Sequence, residues 1–179
     1  MNRVPMERAM NFEFATATRI IFGAGAFSKI GSLAEAMGKN ALLFSGLNET
    51  FTAMLVENLK EKGLQTQTYY VNKEPDIAMA QAGVKMAREM ICDLVIGFGG
   101  GSAIDCGKAV AALATNPGQA LDYLEVIGKG KSLTIPPLPY IAIPATSGTG
   151  AEVTRNAVLA SPEQRVKVSL RSPLMLPKV

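Results

Sequence analysis

The chain has 179 residues, which suggests one domain, or one and a piece of another, and its 48% hydrophobic content is enough for a core. Its formal net charge is +3 with no basic cluster, and its aromatic content is 6% with no Trp, which argues against nucleic-acid binding and base-stacking platforms. It contains no histidine, so neither a Ser-His or Cys-His nucleophile nor a His-ligated zinc or iron site can be built from these residues alone.

The segment Met1 to Met10 carries charge without an apolar core, so no signal peptide is expected. No run approaches the roughly 18 apolar residues of a membrane span. Cys92 and Cys106 form no C-x-x-C and read as reduced thiols, which fits a cytoplasmic protein.

In chain order, Phe14 to Phe22 reads as a strand ending in the Gly23-Ala24-Gly25 turn, with an edge that could pair with a second copy. Gly23-x-Gly25 lacks the third glycine of a dinucleotide fingerprint, since Ser28 stands there, and reads as a turn more readily than as a phosphate contact. Phe27 to Met37 has helical spacing, closed by Gly38 as a C-cap. Ala41 to Phe44 is a short strand. Phe51, Leu55 and Leu59 mark a helix stopped by Gly63, and Gln67 to Val71 reads as a strand. Asp76 caps a helix running to about Ile91, with Ile77, Ala80, Val84, Ala87 and Ile91 inward. Met79, Met86 and Met90 read as core filler.

Leu94 to Ile96 is the strand that feeds three consecutive glycines, Gly99, Gly100 and Gly101, and then a helix from Ser102 to about Ala114. A glycine turn at a helix N-terminus offers free N–H groups to an anion, with no Cβ in the way and a favourable macrodipole. Ser102 and Asp105 fit a capping pattern at that point. The junction reads as a phosphate cradle, against the plainer reading of a glycine-rich strand-to-helix turn. Asp105 and Lys108 have the spacing of a helical ion pair.

Asn116-Pro117-Gly118 ends the helix, and Leu121 to Lys131 is less regular. After Pro136, Pro137 and Pro139, Tyr140 to Ile143 reads as a buried strand. It delivers the hydroxyl- and glycine-rich loop Pro144 to Thr154, in which Thr149 and Glu152 are spaced as a capping box. Its hydroxyls could bond ribose and phosphate oxygens, or could simply cap a turn. Following Asn156 to Leu159, Arg165 to Leu170 reads as a strand, with Lys167 facing either the cleft or solvent. The alternation of helix and strand from residue 27 to 115 predicts an α/β, Rossmann-like parallel sheet with flanking helices. Ligands of such sheets sit beyond the carboxyl ends of the strands, at a switch point.

Two segments together resemble the iron-containing alcohol dehydrogenase family. Gly99 to Lys108 matches its Gly-Gly-Gly-Ser-x-x-Asp-x-x-Lys motif, and Pro144 to Thr154 matches its proline, hydroxyl, Gly-Thr-x-x-Glu-Val-Thr motif. Ile20 to Gly25, Glu74-Pro75-Asp76 and Leu174 to Val179 are also similar to the family, so the likeness covers nearly the whole chain. The resemblance implies the dehydroquinate synthase-like N-terminal domain, spanning 1–179 and binding NAD or NADP. It also implies a helical domain beyond residue 179 that supplies one Asp and three His to Fe²⁺ or Zn²⁺. It implies, further, a homodimer acting on a small alcohol or aldehyde by hydride transfer, with this chain alone inactive.

Carried over by the resemblance, Gly100, Gly101, Ser102 and Ala103 hold the diphosphate. Asp105 orients the loop or touches the ribose side. Thr146, within the Thr146-Ser147 hydroxyl pair, and Thr154 line the adenine and ribose cleft, and Lys167 reaches the nicotinamide ribose. Two departures stand out. Ala145 replaces a hydroxyl residue, and Gly46 stands where NAD-preferring members often have Asp. An acidic side chain there would bond the ribose hydroxyls and repel a 2′-phosphate, so its absence favours NADP(H). Alternatives are glycerol or glycerol-1-phosphate dehydrogenase, dehydroquinate synthase, and a nucleotide-binding module without catalysis.

Overall fold

A computed structural model describes residues 14–179. A 3-10 turn at Ala26–Lys29 runs into α1 (Ile30–Glu35), followed by β1 (Asn40–Ser45), α2 (Glu49–Lys60), β2 (Gln65–Tyr70) and α3 (Ile77–Glu89). Then come β3 (Leu94–Gly99), α4 (Gly101–Thr115), the single turn α5 (Ala120–Tyr123), β4 (Tyr140–Pro144), β5 (Asn156–Ser161) and β6 (Val166–Arg171).

Four strands form a parallel sheet in the order β2-β1-β3-β4, and β5 with β6 forms a separate antiparallel hairpin. The chain runs outward from β1 to β2, then passes back over β1 to β3 and β4. Right-handed crossovers in opposite directions put their helices on opposite faces. The side chains obey this. Leu43, Leu94, Ile96 and Phe98 pack with Ile30, Leu55 and Leu59 on one face. Leu42, Phe44 and Val95 pack with Met79, Ala87, Ile104 and Val110 on the other. Covered on both sides, the central strands are apolar from Ala41 to Phe44 in β1 and along the whole of β3. The winding reverses between β1 and β3, which opens a crevice at their carboxyl ends.

Helix α4 lies between this sheet and the hairpin. From Ala103 to Leu113 every residue is buried except Asp105, which is half-buried. Its Ala109, Ala112 and Leu113 meet Leu159, Val168 and Leu170 of the hairpin. A helix apolar all round must be covered all round, and the hairpin supplies the second cover. On the sheet side Tyr140 fills the space left by two glycines. A Cβ at Gly97 would fall 1.9 Å from its phenol oxygen, and one at Gly107 would fall 3.1 Å away. The phenol donates to the Ile104 carbonyl at 2.8 Å.

Side-chain caps and one glycine set several helix ends. The Asn48 and Asp76 side chains accept from Phe51 and Met79 N–H. Gly63, at φ 76°, turns the chain after α2. At the far end of α4, Arg88 donates to the carbonyls of Leu113, Ala114 and Asn116, which the helix itself leaves open. Gly38 is required for space rather than handedness: a Cβ there would meet the Asp93 carboxylate, which accepts from Lys39 and Asn40 N–H.

Several expectations are corrected. Phe14 to Phe22 forms no strand, because no ladder partner lies beside it among the described residues; Thr18 N–H donates to the Pro177 carbonyl, and Phe14 and Phe22 are exposed. α3 stops at Glu89, so Ile91 does not face inward. It is 79% exposed in a left-handed conformation at φ 51°. The Ser102 capping pattern does not form. Gly100 is the N-cap, Ser102 lies inside the first turn, and Asp105 points at β5. Thr149 and Glu152 likewise form no capping box, because the chain makes a 3-10 turn at Ala151–Val153 led by Gly150 at φ 65°. Within Leu121 to Lys131, α5 is a helical turn closed by a Gln119–Asp122 capping box.

Ile91 generates a stability prediction. A β-branched residue in the left-handed region is disfavoured by about 1–2 kcal/mol, and this exposed side chain returns little by burial. Ile91→Gly should stabilise the fold by about 1 kcal/mol and raise Tm by roughly 3 °C in calorimetry; an unchanged or lower Tm would show that no strain is held there.

Candidate functional site

The crevice at the switch point is built by glycine. Gly99 sits at φ 145°, where a side chain would be strained, and a Cβ on it would fall 3.0 Å from the Gly46 nitrogen. Gly46 N–H in turn donates to the Phe98 carbonyl at 2.9 Å. Gly100 is extended, and the first amide to reach a helical carbonyl is that of Ile104, bonded to Gly100 at 3.2 Å. The N–H groups of Gly100, Gly101, Ser102 and Ala103 therefore have no acceptor among the described residues. They form a row at the positive end of a helix dipole.

Loops flank the row on both sides. On the β1 side, a Cβ at Gly46 would lie 3.3 Å from Ala103 Cβ and 3.9 Å from the Gly100 nitrogen. On the β4 side, Ala145 N–H donates to the Gly99 carbonyl at 2.8 Å and fixes the start of the hydroxyl loop. Thr146 then stands over Gly100 and Thr149 over Gly101, at 3.5 and 3.2 Å from where their Cβ atoms would be. Ser147 is exposed between them.

Beside the row lies a cleft of about 330 Å³, lined by Glu74, Pro75, Gly101, Ser102, Asp105, Thr149, Ala151, Thr154, Asn156 and Val158. The structure thus brings Gly101, Ser102, Asp105 and Thr154 into one cavity, with Gly46, Gly100, Ala103 and Thr146 around the amide row. Lys167 is set apart on β6, where its ammonium pairs with Glu74 at the rim at 2.5 Å. A larger hollow of about 460 Å³ between α3 and α5 is lined by Gln81, Arg88 and Gly118, among others. Its Arg88 is committed to helix carbonyls.

Lys108 is not half of a surface ion pair. It is 1% exposed, and its ammonium donates to the carbonyls of Ala151, Thr154 (3.0 Å) and Asn156 (2.9 Å) and to Thr154 Oγ1 (3.2 Å). Asp105 Oδ1 is 3.8 Å away, while Asp105 Oδ2 accepts from Val158 N–H at 3.2 Å. Burial lowers the Lys108 ammonium to about 8 despite the attraction of Asp105 and Glu152. Burial also raises Asp105, and the Lys108 charge opposes that rise without cancelling it. In both groups desolvation outweighs the pair, which fits their loose separation. Glu152, on the same turn as Ala151, has a buried carboxylate oxygen with no partner among the described residues.

Sequence reasoning missed Thr149, Glu74 and the β5 wall as parts of the cleft. Glu74 carried a signal in the Glu74-Pro75-Asp76 segment, but its place beside α4 depends on the bridge between Asp76 and Ala160. No metal centre is built here. The chain has no histidine, and the described residues hold no group of three or more His, Cys, Asp or Glu able to bind a metal.

The family model of the iron-containing alcohol dehydrogenases matches residues 17–179. The chain is 35% identical over 179 residues to a probable alcohol dehydrogenase, EutG, of Salmonella typhimurium, covering 97% of this chain and 44% of that protein. It superposes on a crystal structure of 1,3-propanediol oxidoreductase with a TM-score of 0.85 and 31% identity, covering 95% of this chain and 45% of that one. It superposes on sulfoacetaldehyde reductase of Bifidobacterium kashiwanohense, solved in complex with NAD+, with a TM-score of 0.83 and 29% identity, covering 95% and 45%. The chain thus spans less than half the length of these relatives. With the glycine turn at the switch point and the hydroxyl loop beside it, this match over nearly every described residue makes the chain a member of the iron-containing alcohol dehydrogenase family.

Proposed function

We propose that this chain is the coenzyme-binding part of an NAD(P)-linked dehydrogenase that oxidises small alcohols or reduces aldehydes and ketones. The observation that carries the reading is the row of four unpartnered amides at Gly100, Gly101, Ser102 and Ala103. Such a row fits a diphosphate, which brings both the charge and the acceptors the helix end lacks. A relative of similar fold was solved with NAD+ bound, which supports the same ligand class here.

Each side chain has a part in that reading. The hydroxyls of Thr146, Ser147 and Thr154 supply donors to ribose and phosphate oxygens. Asp105 holds the far wall through Val158 rather than reaching into solvent. Lys167 reaches the nicotinamide ribose only by exchanging its ion pair with Glu74. Gly46 leaves open the place beside the row where an acidic side chain would repel a 2′-phosphate, so we read the preference as NADP(H). The coenzyme, when bound, supplies or accepts the hydride, and the protein supplies binding and orientation.

The residues of this chain do not fit an iron or zinc ion. We place those ligands in the portion of the longer relatives that this chain does not match. We also read the exposed apolar side chains Phe14, Ile20 and Phe22 as the part that pairs with a second copy in a homodimer.

Fluorescence titration of the 179-residue chain should show submillimolar binding of NADPH, weaker binding of NADH, and no turnover of alcohols. Absence of binding by either at millimolar concentration would remove the reading. Gly46→Asp should shift the NADH-to-NADPH affinity ratio toward NADH by about tenfold or more, equivalent to roughly 1.4 kcal/mol. An unchanged ratio would move the 2′-phosphate site elsewhere. Ser102→Asp separates binding from stability. A carboxylate in the first helical turn should stabilise α4 by about 0.5 kcal/mol while repelling the diphosphate, weakening coenzyme at least tenfold as Tm holds or rises.

A further inference from the structure

The wall of the cleft opposite the amide row is a loop and the first half of a strand, and few bonds tie it to α4. Its near end is pinned where Ala145 N–H meets the Gly99 carbonyl. Its far end is pinned where Ala160 N–H meets the Pro75 carbonyl. Between these points, the polar ties to α4 come from two residues one helical turn apart. Asp105 accepts from Val158, and Lys108 holds Ala151, Thr154 and Asn156. We propose that Lys108 is a positioning residue for the coenzyme, setting the distance between the amide row and the Thr154 wall without touching the ligand. The inference rests on the coenzyme reading of the same cleft.

The geometry favours positioning over stability. A buried ammonium is a weak device for holding a fold together, since well-packed apolar side chains commonly serve as well. Here every acceptor of the ammonium lies on the Ala151 to Asn156 segment, and Thr154 contributes both its carbonyl and its hydroxyl. Three N–H donors serve four acceptors. The neutral amine would keep two donors and turn a lone pair toward the carbonyls, so losing the proton loosens this wall and no other part of the cleft.

The groups facing Lys108 are Asp105 on its own helix and Glu152 on the 3-10 turn, with Tyr140 of β4 and Lys178 of the C-terminal segment lining the pocket along its stem. Burial holds the Tyr140 phenol well above 10, outside the range that matters here. The folded ammonium titrates near 8 against 10.5 for the free side chain. Between those values the unfolded chain keeps a proton that the folded chain has lost, so this group makes stability rise with pH. The thiols of Cys92 and Cys106, both raised by burial, act in the opposite sense above pH 9. Over pH 7 to 9, therefore, a positioning role weakens binding while the fold holds, whereas loss of the fold would move both together.

The experiment is NADPH titration of the 179-residue chain from pH 7 to 9, with Tm measured at each point. The expected result is about a tenfold rise in Kd across this range with Tm steady, because only the protonated fraction binds well. Lys108→Met should bind weakly at pH 7, near the wild-type value at pH 9, and show a flat profile. A wild-type Kd that stays level to pH 9, or a Kd that rises only in step with a falling Tm, overturns the proposal. So does a folded Lys108→Met chain with wild-type affinity. If Lys108→Met does not fold, the wild-type profile decides alone. Failure of the wild type to bind at pH 7 is a different result, and it removes the coenzyme reading together with this one.

Discussion

Two backbones meet at the crevice with no room for a side chain between them. Gly46, just past β1, bonds the Phe98 carbonyl, and any Cβ on Gly99 would press on the Gly46 nitrogen and on Ala103. This close approach has two consequences. It forces β3 to leave the sheet through a glycine in a conformation other residues avoid. It also starts α4 so early that its first turn opens directly over the carboxyl end of the sheet. The free amides of Gly100 to Ala103 are thus a product of chain reversal at the switch point. Without the glycines the turn would be wider, and the helix end would lie farther from the strands.

What the glycines open, α4 must support. This helix is buried between a parallel sheet and an antiparallel hairpin, so its rigidity comes from packing on all sides. Small residues make this possible: Ala109 and Ala112 let the hairpin approach, and Gly107 admits the ring of Tyr140. The polar groups carried into this interior are tied off locally. Lys108 is bound by the loop carbonyls, Asn116 bonds the backbone at Ala112, Thr134 and Ile135, and Arg88 closes the last turn. One buried carboxylate oxygen, on Glu152, is left without such a partner. The site therefore rests on a helix held from end to end, with the hydroxyl loop facing its first turn.

That division of labour fits the proposed coenzyme-binding role. In that proposal, rigid backbone amides would fix the diphosphate and the stand-off of the facing wall would aim the nicotinamide. The chain has no histidine, and its described residues hold no group of three or more His, Cys, Asp or Glu able to bind a metal.

Much of this was legible in the sequence. Apolar runs at β1 and β3, the Asp76 cap, the Gly63 stop and the glycine turn each have a local cause, and each appears where the residues place it. The family motifs located Gly46, Gly100 to Ala103 and Thr146 around one crevice. The sequence could not show that Phe14 to Phe22 lacks a ladder partner among the described residues, that Ser102 falls inside the helix, or that Asp105 turns toward Val158. Those outcomes depend on neighbours distant along the chain, and strand pairing and side-chain direction are decided by which elements pack together. Lys108 marks the boundary most clearly. Spacing alone makes it a surface ion pair with Asp105; only the hairpin folded across α4 buries it and gives it three carbonyls from a segment more than forty positions away. Local sequence determined the elements and the free amides, because turns and caps act within a few residues, while tertiary packing decided how the facing wall is held, because burial is a property of the assembled layers.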